Sequence, residues 1–160
     1  MDPQRQYFFP IIGYNYRLTN VACAILCAQL ERRAEIWQRR QRIFASYRRL
    51  LEGVPGLGFQ PIASWAEPAP WLFCLTVDEK AYGHSRDALM SFLAEQGIET
   101  RPFFLPLHKL PPYREQSSRR GDDLPITDHL SDSGMNLPTF NAMQESSIDR
   151  ITDLVKRFRK

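Results

Sequence analysis

Cysteine is scarce in this chain, and its spacing excludes the usual structural zinc sites. Only three of the 160 residues are cysteines, Cys23, Cys27 and Cys74, and no two of them form a Cys-x-x-Cys pair. A structural metal site is therefore not expected. Cys23 and Cys27 are spaced to share a helix face, either as a metal or redox pair or, the favoured interpretation, as two small buried apolar residues. Unpaired thiols fit a reducing compartment, so a cytoplasmic location is expected.

Long apolar runs are missing as well. The longest, residues 21–28, is far shorter than the stretch needed to span a bilayer. Met1 is followed by Asp2 and Pro3, which is not the basic-then-apolar order of a signal peptide. From these features we expect no association with a membrane.

A strong excess of one charge is also absent. The formal net charge is +3, which is too small to indicate nucleic-acid binding by itself. Arginines line one side of a predicted helix, but a solvated face is the commoner explanation of such a stripe. These residues are Arg32, Arg33, Arg39, Arg40, Arg48 and Arg49. With 43% hydrophobic residues the chain can form one globular domain with a core, and no nucleic-acid partner is expected.

Hydrophobic spacing divides the chain into an arm and a domain. Residues 1–18 are rich in aromatic side chains without periodicity, which predicts an irregular arm before a single domain over residues 19–160. Residues 20–52 contain neither proline nor glycine, and their apolar side chains recur at helical spacing. One long helix, capped at its start by Thr19, is therefore expected.

Strands and helices alternate through the rest of the chain. Residues 71–77 are a continuous apolar run, which predicts a strand buried on both faces. A helix over 85–96 and a strand over 98–104 follow, and the two strands are expected to be parallel or in a split arrangement. Further on we expect a loop over 105–125 with a mobile part at 116–123, a short helix over 126–131, a strand over 135–139 and a closing helix over 144–160. The predicted fold class is α/β, an α+β sandwich with a long N-terminal helix, a small mixed sheet of three or four strands and helices on one face.

Residues 13–20 carry the most informative pattern, Gly-Tyr-Asn-Tyr-Arg-Leu-Thr-Asn, directly at the start of the long helix. Unpaired N–H groups at a helix start, an asparagine amide and an arginine guanidinium together suit an anion, and a phosphate above all. Asn15 and Arg17 supply the side-chain donors in this interpretation. The alternative for Asn15 is a turn residue, because asparagine tolerates left-handed backbone angles.

This block resembles the signature of the DegT/DnrJ/StrS family of sugar aminotransferases, which depend on pyridoxal phosphate. Four more segments occur in the order and approximate spacing of that family: Ala-Gln-Leu-Glu-Arg at 28–32, Gly-Ile-Glu-Thr-Arg-Pro at 97–102, Pro-Leu-His at 106–108 and Met-Asn-Leu-Pro-Thr at 135–139. The resemblance covers essentially the whole chain. It implies the C-terminal portion of a fold-type-I aminotransferase, which comprises the end of the large domain and the small C-terminal domain.

The resemblance also implies roles for particular residues. In this family the enzyme is a homodimer, and its active site is shared between the subunits. Asn15 would reach the cofactor phosphate of the partner, and Arg17 would lie on the substrate side of the pocket. Arg101 and His108 would bind substrate, with His108 near the sugar or the nucleotide of a nucleotide-sugar. The alternative for His108 is an exposed loop histidine without a function.

The reactive lysine of the family has no counterpart in this chain. Pyridoxal phosphate chemistry requires a lysine amine, and the family's lysine motif lies upstream, in the large domain. None of the four lysines, Lys80, Lys109, Lys156 and Lys160, stands in such a motif. We therefore expect no catalytic residue, no covalently bound cofactor and no transaminase activity of the chain alone.

A second hypothesis belongs to another class of protein. The chain would be a stand-alone module that binds a phosphate or a nucleotide-sugar, or that assembles with a separately encoded large domain. Under both hypotheses, the expected partner is a second copy of the chain or a separate large domain, bound through apolar surface that the chain itself leaves uncovered.

Overall fold

The computed structural model describes residues 12–159 and divides the chain into two units, Met1–Glu35 and Ile36–Lys160. The part of the predicted aromatic arm that precedes residue 12 lies outside the described residues, and so does Lys160.

The first unit contains a helix preceded by irregular chain. Residues 12–19 form neither helix nor strand, and α1 (Asn20–Glu31) follows them. Thr19 caps this helix as expected, since its Oγ1 accepts a hydrogen bond from the Ala22 N–H at 3.2 Å. No residue of α1 is buried, so its many apolar side chains remain at the surface.

The expectation of one uninterrupted helix over 20–52 is wrong at a single position. α1 ends before Arg32, and α2 (Arg33–Leu51) begins after it. Arg32 leaves the helical region, with φ −98° and ψ 8°, and its N–H donates to the Leu30 carbonyl instead of reaching a full helical turn back. Neither glycine nor proline marks this place, which is why composition does not reveal the interruption.

The second unit begins its core on α2. Ile43, Tyr47 and Leu51 are buried at four-residue intervals, so they form one stripe along the helix. Gly53, with φ 81°, ends the helix as predicted and turns the chain toward β1 (Leu57–Phe59).

Four strands form one sheet in the order β1, β2 (Phe73–Val77), β4 (Gly134–Leu137), β3 (Arg101–Pro102). All three neighbouring pairs are antiparallel, which corrects the expected mixed sheet. β2 and β3 run in the same direction with β4 between them, so the arrangement is the split one. β3 is much shorter than the predicted strand over 98–104, because Pro102 has no N–H to donate and the strand lies at the edge of the sheet.

One face of the sheet is buried and the other is half-exposed. In β2 the side chains of Phe73, Leu75 and Val77 are buried, whereas Cys74 and Thr76 are only half-buried. The prediction of burial on both faces is wrong, because an antiparallel sheet needs cover on one side only.

Helices supply the cover of the buried face. A short helix, α3 (Glu79–Tyr82), follows β2, and α4 (Arg86–Glu95) leads toward β3. The last helix, α7 (Glu145–Phe158), contacts α4. Helices α2, α4 and α7 contribute to one core with the sheet through Ile43, Tyr47, Leu51, Leu89, Leu93, Ile148, Ile151 and Val155. The predicted α+β sandwich with a small sheet and helices on one face is thus confirmed.

The predicted loop over 105–125 contains a helix instead. A 3-10 turn at Leu107–Lys109 precedes α5 (Pro111–Arg120), so much of the segment predicted to be mobile, 116–123, is helical. Pro111 opens this helix, where a missing N–H costs nothing. α6 (Pro125–Ser133) follows and confirms the short helix predicted at 126–131. No helix within residues 12–159 combines the length and apolar character that crossing a membrane requires.

Candidate functional site

Two of the sequence segments singled out above lie side by side in the second unit. β3 pairs Arg101 with Asn136, and the side-chain amide of Asn136 donates a hydrogen bond to the Arg101 carbonyl at 3.4 Å. Residues 97–101 and 136–139 together line a cavity of about 470 Å³, and Arg150 also lines it. The two segments, which are far apart along the chain, therefore share one surface.

The Arg101 guanidinium lies at this surface and is loosely held. Its side chain is 76% exposed, and Nη2 is 3.6 Å from the Glu99 Oε1, which is equally open to solvent. An exposed pair of this kind contributes little stability. The contact with Glu99 therefore leaves the Arg101 guanidinium able to bind another anionic group.

Beyond β3 the chain keeps running antiparallel to the segment that leads into β4. The Phe103 N–H donates to the Gly134 carbonyl at 3.0 Å, and the Ser131 hydroxyl donates to the Phe104 carbonyl at 3.1 Å. A Cβ at Gly134 would lie 2.1 Å from a carbon of the Phe103 ring. This pairing guides the loop after β3 toward α6.

His108 is held against α6 where that loop ends. Its Nε2 is 2.8 Å from Asp128 Oδ1, and Lys109 Nζ is 3.0 Å from the same oxygen. Only 15% of the His108 side chain is exposed. The oxygen is buried and accepts no well-aligned hydrogen bond from residues 12–159, so charge rather than direction holds this cluster together.

The surroundings favour ionised carboxylates in this cluster. Lys109, and to a lesser extent His108, hold the pKa of Asp128 below its ordinary value. Hydrogen bonds from Arg120 and Ser117, each 2.7 Å long, likewise lower the pKa of Asp122, and the nearby His108 adds to the effect. His108 therefore faces two negative charges, one in direct contact and one at longer range.

In the first unit, Asn15 and Arg17 contact each other. Asn15 Oδ1 accepts hydrogen bonds from the Arg17 N–H at 3.1 Å and from its Nε at 3.3 Å. Both residues are exposed. The first contact has the form of an asparagine turn, and it leaves the amide NH₂ of Asn15 able to donate to another group.

The described residues fit the phosphate-binding part of a pyridoxal phosphate site better than the part that supplies the reactive lysine. The amide of Asn15 and the guanidinium of Arg17 are suitable donors for a phosphate. None of the three lysines among residues 12–159 is buried: Lys109 forms the ion pair with Asp128, and Lys80 and Lys156 lie on helices. Asn15 and Arg17 could hold the phosphate, but none of these lysines presents an amine set in a pocket for covalent attachment. No cluster of metal-ligating side chains occurs within the same range.

Sequence reasoning missed the residues that support this site. Arg86, whose side chain is 12% exposed, donates from Nη1 to the carbonyls of Ser131 at 3.2 Å and Gly134 at 2.8 Å. It thereby fixes the turn from α6 to β4. Asp128 had one visible signal, an acidic residue in the first turn of a predicted helix, but nothing in the sequence pointed to its contact with His108.

Comparison with known proteins decides the family. The sequence model of the DegT/DnrJ/EryC1/StrS aminotransferases matches residues 1–156. The chain belongs to this family. The resemblance first seen in five sequence segments is thereby confirmed, and the family is one of pyridoxal-phosphate-dependent aminotransferases.

Individual relatives of the chain are longer proteins. It is 38% identical over 152 residues to the GDP-perosamine synthase of Caulobacter vibrioides, an alignment that covers 94% of the chain and 40% of that enzyme. It is 32% identical over 154 residues to the GDP-perosamine synthase of Vibrio cholerae, with 96% and 41% covered. The crystal structure of S. venezuelae DesV in complex with a ketimine intermediate superposes with a TM-score of 0.82 at 26% identity, over 97% of the chain and 40% of DesV. The chain thus spans about 40% of the length of the relatives it matches.

Proposed function

We propose that this chain forms the small-domain side of a pyridoxal-phosphate-dependent nucleotide-sugar aminotransferase. The observation that carries the proposal is the match of residues 1–156 to the family. The cofactor, when bound, supplies the electron sink for moving an amino group. In this proposal the residues of the chain bind and orient: Asn15 donates to the cofactor phosphate, and Arg17, Arg101 and His108 lie toward the substrate.

The substrate class follows from the relatives. Two of them are named for GDP-perosamine, a nucleotide-linked amino sugar. An aminotransferase forms an amino sugar from the corresponding keto sugar, so we propose a GDP-linked keto sugar as the acceptor and an amino acid, such as glutamate, as the donor. The exposed Arg101 guanidinium is suited to the diphosphate of such a substrate, because arginine binds phosphate oxygens with paired donors.

We further propose that the 160 residues alone do not catalyse transamination. The reaction needs a lysine amine in a pocket, and Lys109, which follows His108 in the chain, forms an ion pair with Asp128. The stand-alone binding module remains the second candidate, and the cavity of about 470 Å³ beside Arg101 is the feature that favours it.

One experiment separates these functions. The purified chain and a hybrid, in which the chain is preceded by the portion of the Caulobacter vibrioides enzyme that lies before the match, are each mixed with pyridoxal phosphate and reduced with borohydride. We expect a stoichiometric lysine adduct and transfer of an amino group to a GDP-linked keto sugar in the hybrid only. The Asn15→Ala hybrid should need more cofactor for half-maximal activity, whereas the Gln29→Ala hybrid, changed on α1, should not.

Two outcomes contradict the proposal. A site-specific adduct on the isolated chain that supports turnover would show that the chain contains its own reactive amine. An inactive but folded hybrid, together with binding of a nucleotide-sugar by the isolated chain, would favour the stand-alone module.

A further inference from the structure

We propose that a second, larger cavity on the half-exposed face of the sheet is the subsite for the guanine base of the GDP-linked substrate, with Trp71 and Phe104 as aromatic walls. The inference rests on the proposed function, in which Arg101 binds the diphosphate. It gives a binding site to the part of the substrate for which that function names none.

The larger cavity has the composition of a site for a flat aromatic ligand. Its volume is about 630 Å³, and most of the side chains that line it are apolar or aromatic. Ligand sites are typically cavities of this size with apolar and aromatic walls and few polar groups. Trp71 and Phe104 both line it and are 66% and 88% exposed, so the fold leaves much of each ring uncovered for stacking on a base.

Hydrogen bonds to the backbone hold both aromatic residues in place. The Arg40 guanidinium donates from Nη1 to the Trp71 carbonyl at 2.8 Å, and the Ser131 hydroxyl donates to the Phe104 carbonyl at 3.1 Å. The two rings therefore project from anchored backbone. A base that stacks on them would not have to order this part of the chain first, which lowers the entropic cost of binding.

The register of the sheet places the larger cavity beside the cavity that Arg101 lines. Asn136 on β4 is opposite both Cys74 on β2 and Arg101 on β3, and residues opposite each other in an antiparallel pair share one face of the sheet. Cys74 lines the larger cavity, Arg101 lines the cavity of about 470 Å³, and Asn136 and Leu72 line both. Cys74 and Arg101 are thus two strand spacings apart, about 10 Å. An extended nucleoside diphosphate can bridge this distance, with its base in the larger cavity and its phosphates at Arg101.

Arg48 gives the larger cavity a preference for guanine. It lines the cavity, its guanidinium lies 4.8 Å from the centre of the Phe59 ring, and its exposed ion pair with Glu52 is long, at 3.7 Å. Such a pair holds the guanidinium only weakly. Guanine offers two neighbouring acceptors, O6 and N7, which an arginine can bind with paired donors, whereas adenine has an amino group in place of O6. Guanine is therefore the purine that suits this cavity.

The test measures the binding of GDP, ADP and inorganic pyrophosphate to the 160-residue chain by isothermal titration calorimetry. We expect GDP to bind more tightly than either ADP or pyrophosphate. Trp71→Leu should weaken GDP binding by about fivefold or more, because a stacking contact is lost, and it should leave pyrophosphate binding unchanged. Arg48→Gln should remove the preference for GDP over ADP.

The matched control is Trp65→Leu, the same change at an exposed tryptophan of the same loop that does not line the cavity. It should leave all three affinities unchanged. A folded wild-type chain that does not bind GDP, or that binds GDP and ADP equally, overturns the inference without any variant. GDP binding that Trp71→Leu leaves unchanged also overturns it. If that variant lowers the dimer fraction in light scattering instead, the occupant of the cavity is a second copy of the chain.

These measurements need neither the cofactor nor turnover, so they can fail separately from the proposed function. An inactive hybrid beside GDP binding that depends on Trp71 contradicts the proposed function alone. An active hybrid beside GDP binding that Trp71→Leu leaves unchanged contradicts this inference alone.

Discussion

Gly134 shows how one residue without a side chain keeps the candidate site in place. The Phe103 ring occupies the space that a Cβ at Gly134 would need, and both backbones pair there. Gly134 has φ −88°, an ordinary extended conformation, so close approach and not backbone freedom requires the glycine. Substitution would therefore act on the ring and on the loop that carries His108.

We expect Gly134→Ala to destabilise the fold by about 1–3 kcal/mol, the usual cost of forcing an added methyl group into a packed site. Chemical denaturation monitored by circular dichroism measures this loss. Gly13→Ala is the control, because no atom beyond its two chain neighbours lies within 4 Å of the added Cβ there. An unchanged denaturation midpoint in Gly134→Ala would show that the Phe103 ring moves aside at little cost.

The residues of the candidate site could be predicted from sequence only one at a time. His108 and Arg101 were found through short segments whose residue types are informative. Their neighbours were not found, because the contact of Asp128 with His108 spans the whole of α5, and because Arg86 acts through backbone carbonyls, which leave no trace in a residue pattern.

At the scale of elements, α3 and α7 are joined by a buried tyrosine. The Tyr82 hydroxyl donates to the Val155 carbonyl, and burial raises the pKa of Tyr82 to about 12. Burial also raises the pKa of Tyr47, which donates to the Pro138 carbonyl at 2.9 Å. Both phenols are thus kept neutral by the fold, whereas in the unfolded chain a tyrosine ionises near pH 10.

The stability of the fold should therefore fall in alkali. Below about pH 10 these tyrosines are neutral in both states and add no pH dependence. Between about pH 10 and 12 the unfolded chain loses protons that the folded chain retains, so the free energy of unfolding decreases by up to about 1.4 kcal/mol per pH unit for each tyrosine. Tyr82→Phe should cost about 1 kcal/mol at pH 7, because a buried carbonyl loses its donor, and should make the alkaline decrease shallower.

Urea unfolding at a series of pH values measures both effects. Tyr113→Phe, at a tyrosine with 48% of its surface exposed, should leave the free energy of unfolding at pH 7 unchanged. An alkaline slope that is identical in Tyr82→Phe and in the wild-type chain would contradict the assignment of this titration to Tyr82.

Element types followed from sequence where a periodic pattern met a clear boundary. Helices α4 and α7 have apolar residues at helical spacing, and β2 is a short apolar run between turn residues. The helix α5 was missed because prolines that begin a helix resemble prolines that interrupt one. The strand order was left open, since it depends on pairing between segments that lie far apart along the chain.

At the scale of the whole molecule, apolar surface is left without cover in both units. On α1 the side chains of Val21, Ile25 and Leu30 are 71%, 62% and 53% exposed. In the second unit, a cavity of about 630 Å³ on the half-exposed face of the sheet is lined largely by apolar side chains, including Trp71 and Phe104. Surfaces of this kind are typical of proteins that bind another chain.

We expect the chain to self-associate, as a dimer, through α1. Burying one valine, isoleucine or leucine side chain is worth about 1.5–3 kcal/mol, so a few such residues from each copy can offset the entropy lost on association. Light scattering at increasing concentration should show the mass rising toward twice that of the chain. Ile25→Lys should shift this equilibrium toward the monomer, because a charged side chain would have to be desolvated in the interface. Gln29→Lys adds the same charge to the same helix at a residue that is already polar, and it should weaken association far less. A wild-type chain that stays monomeric at the highest concentration would contradict this expectation. The separate large domain would then be the expected partner for α1.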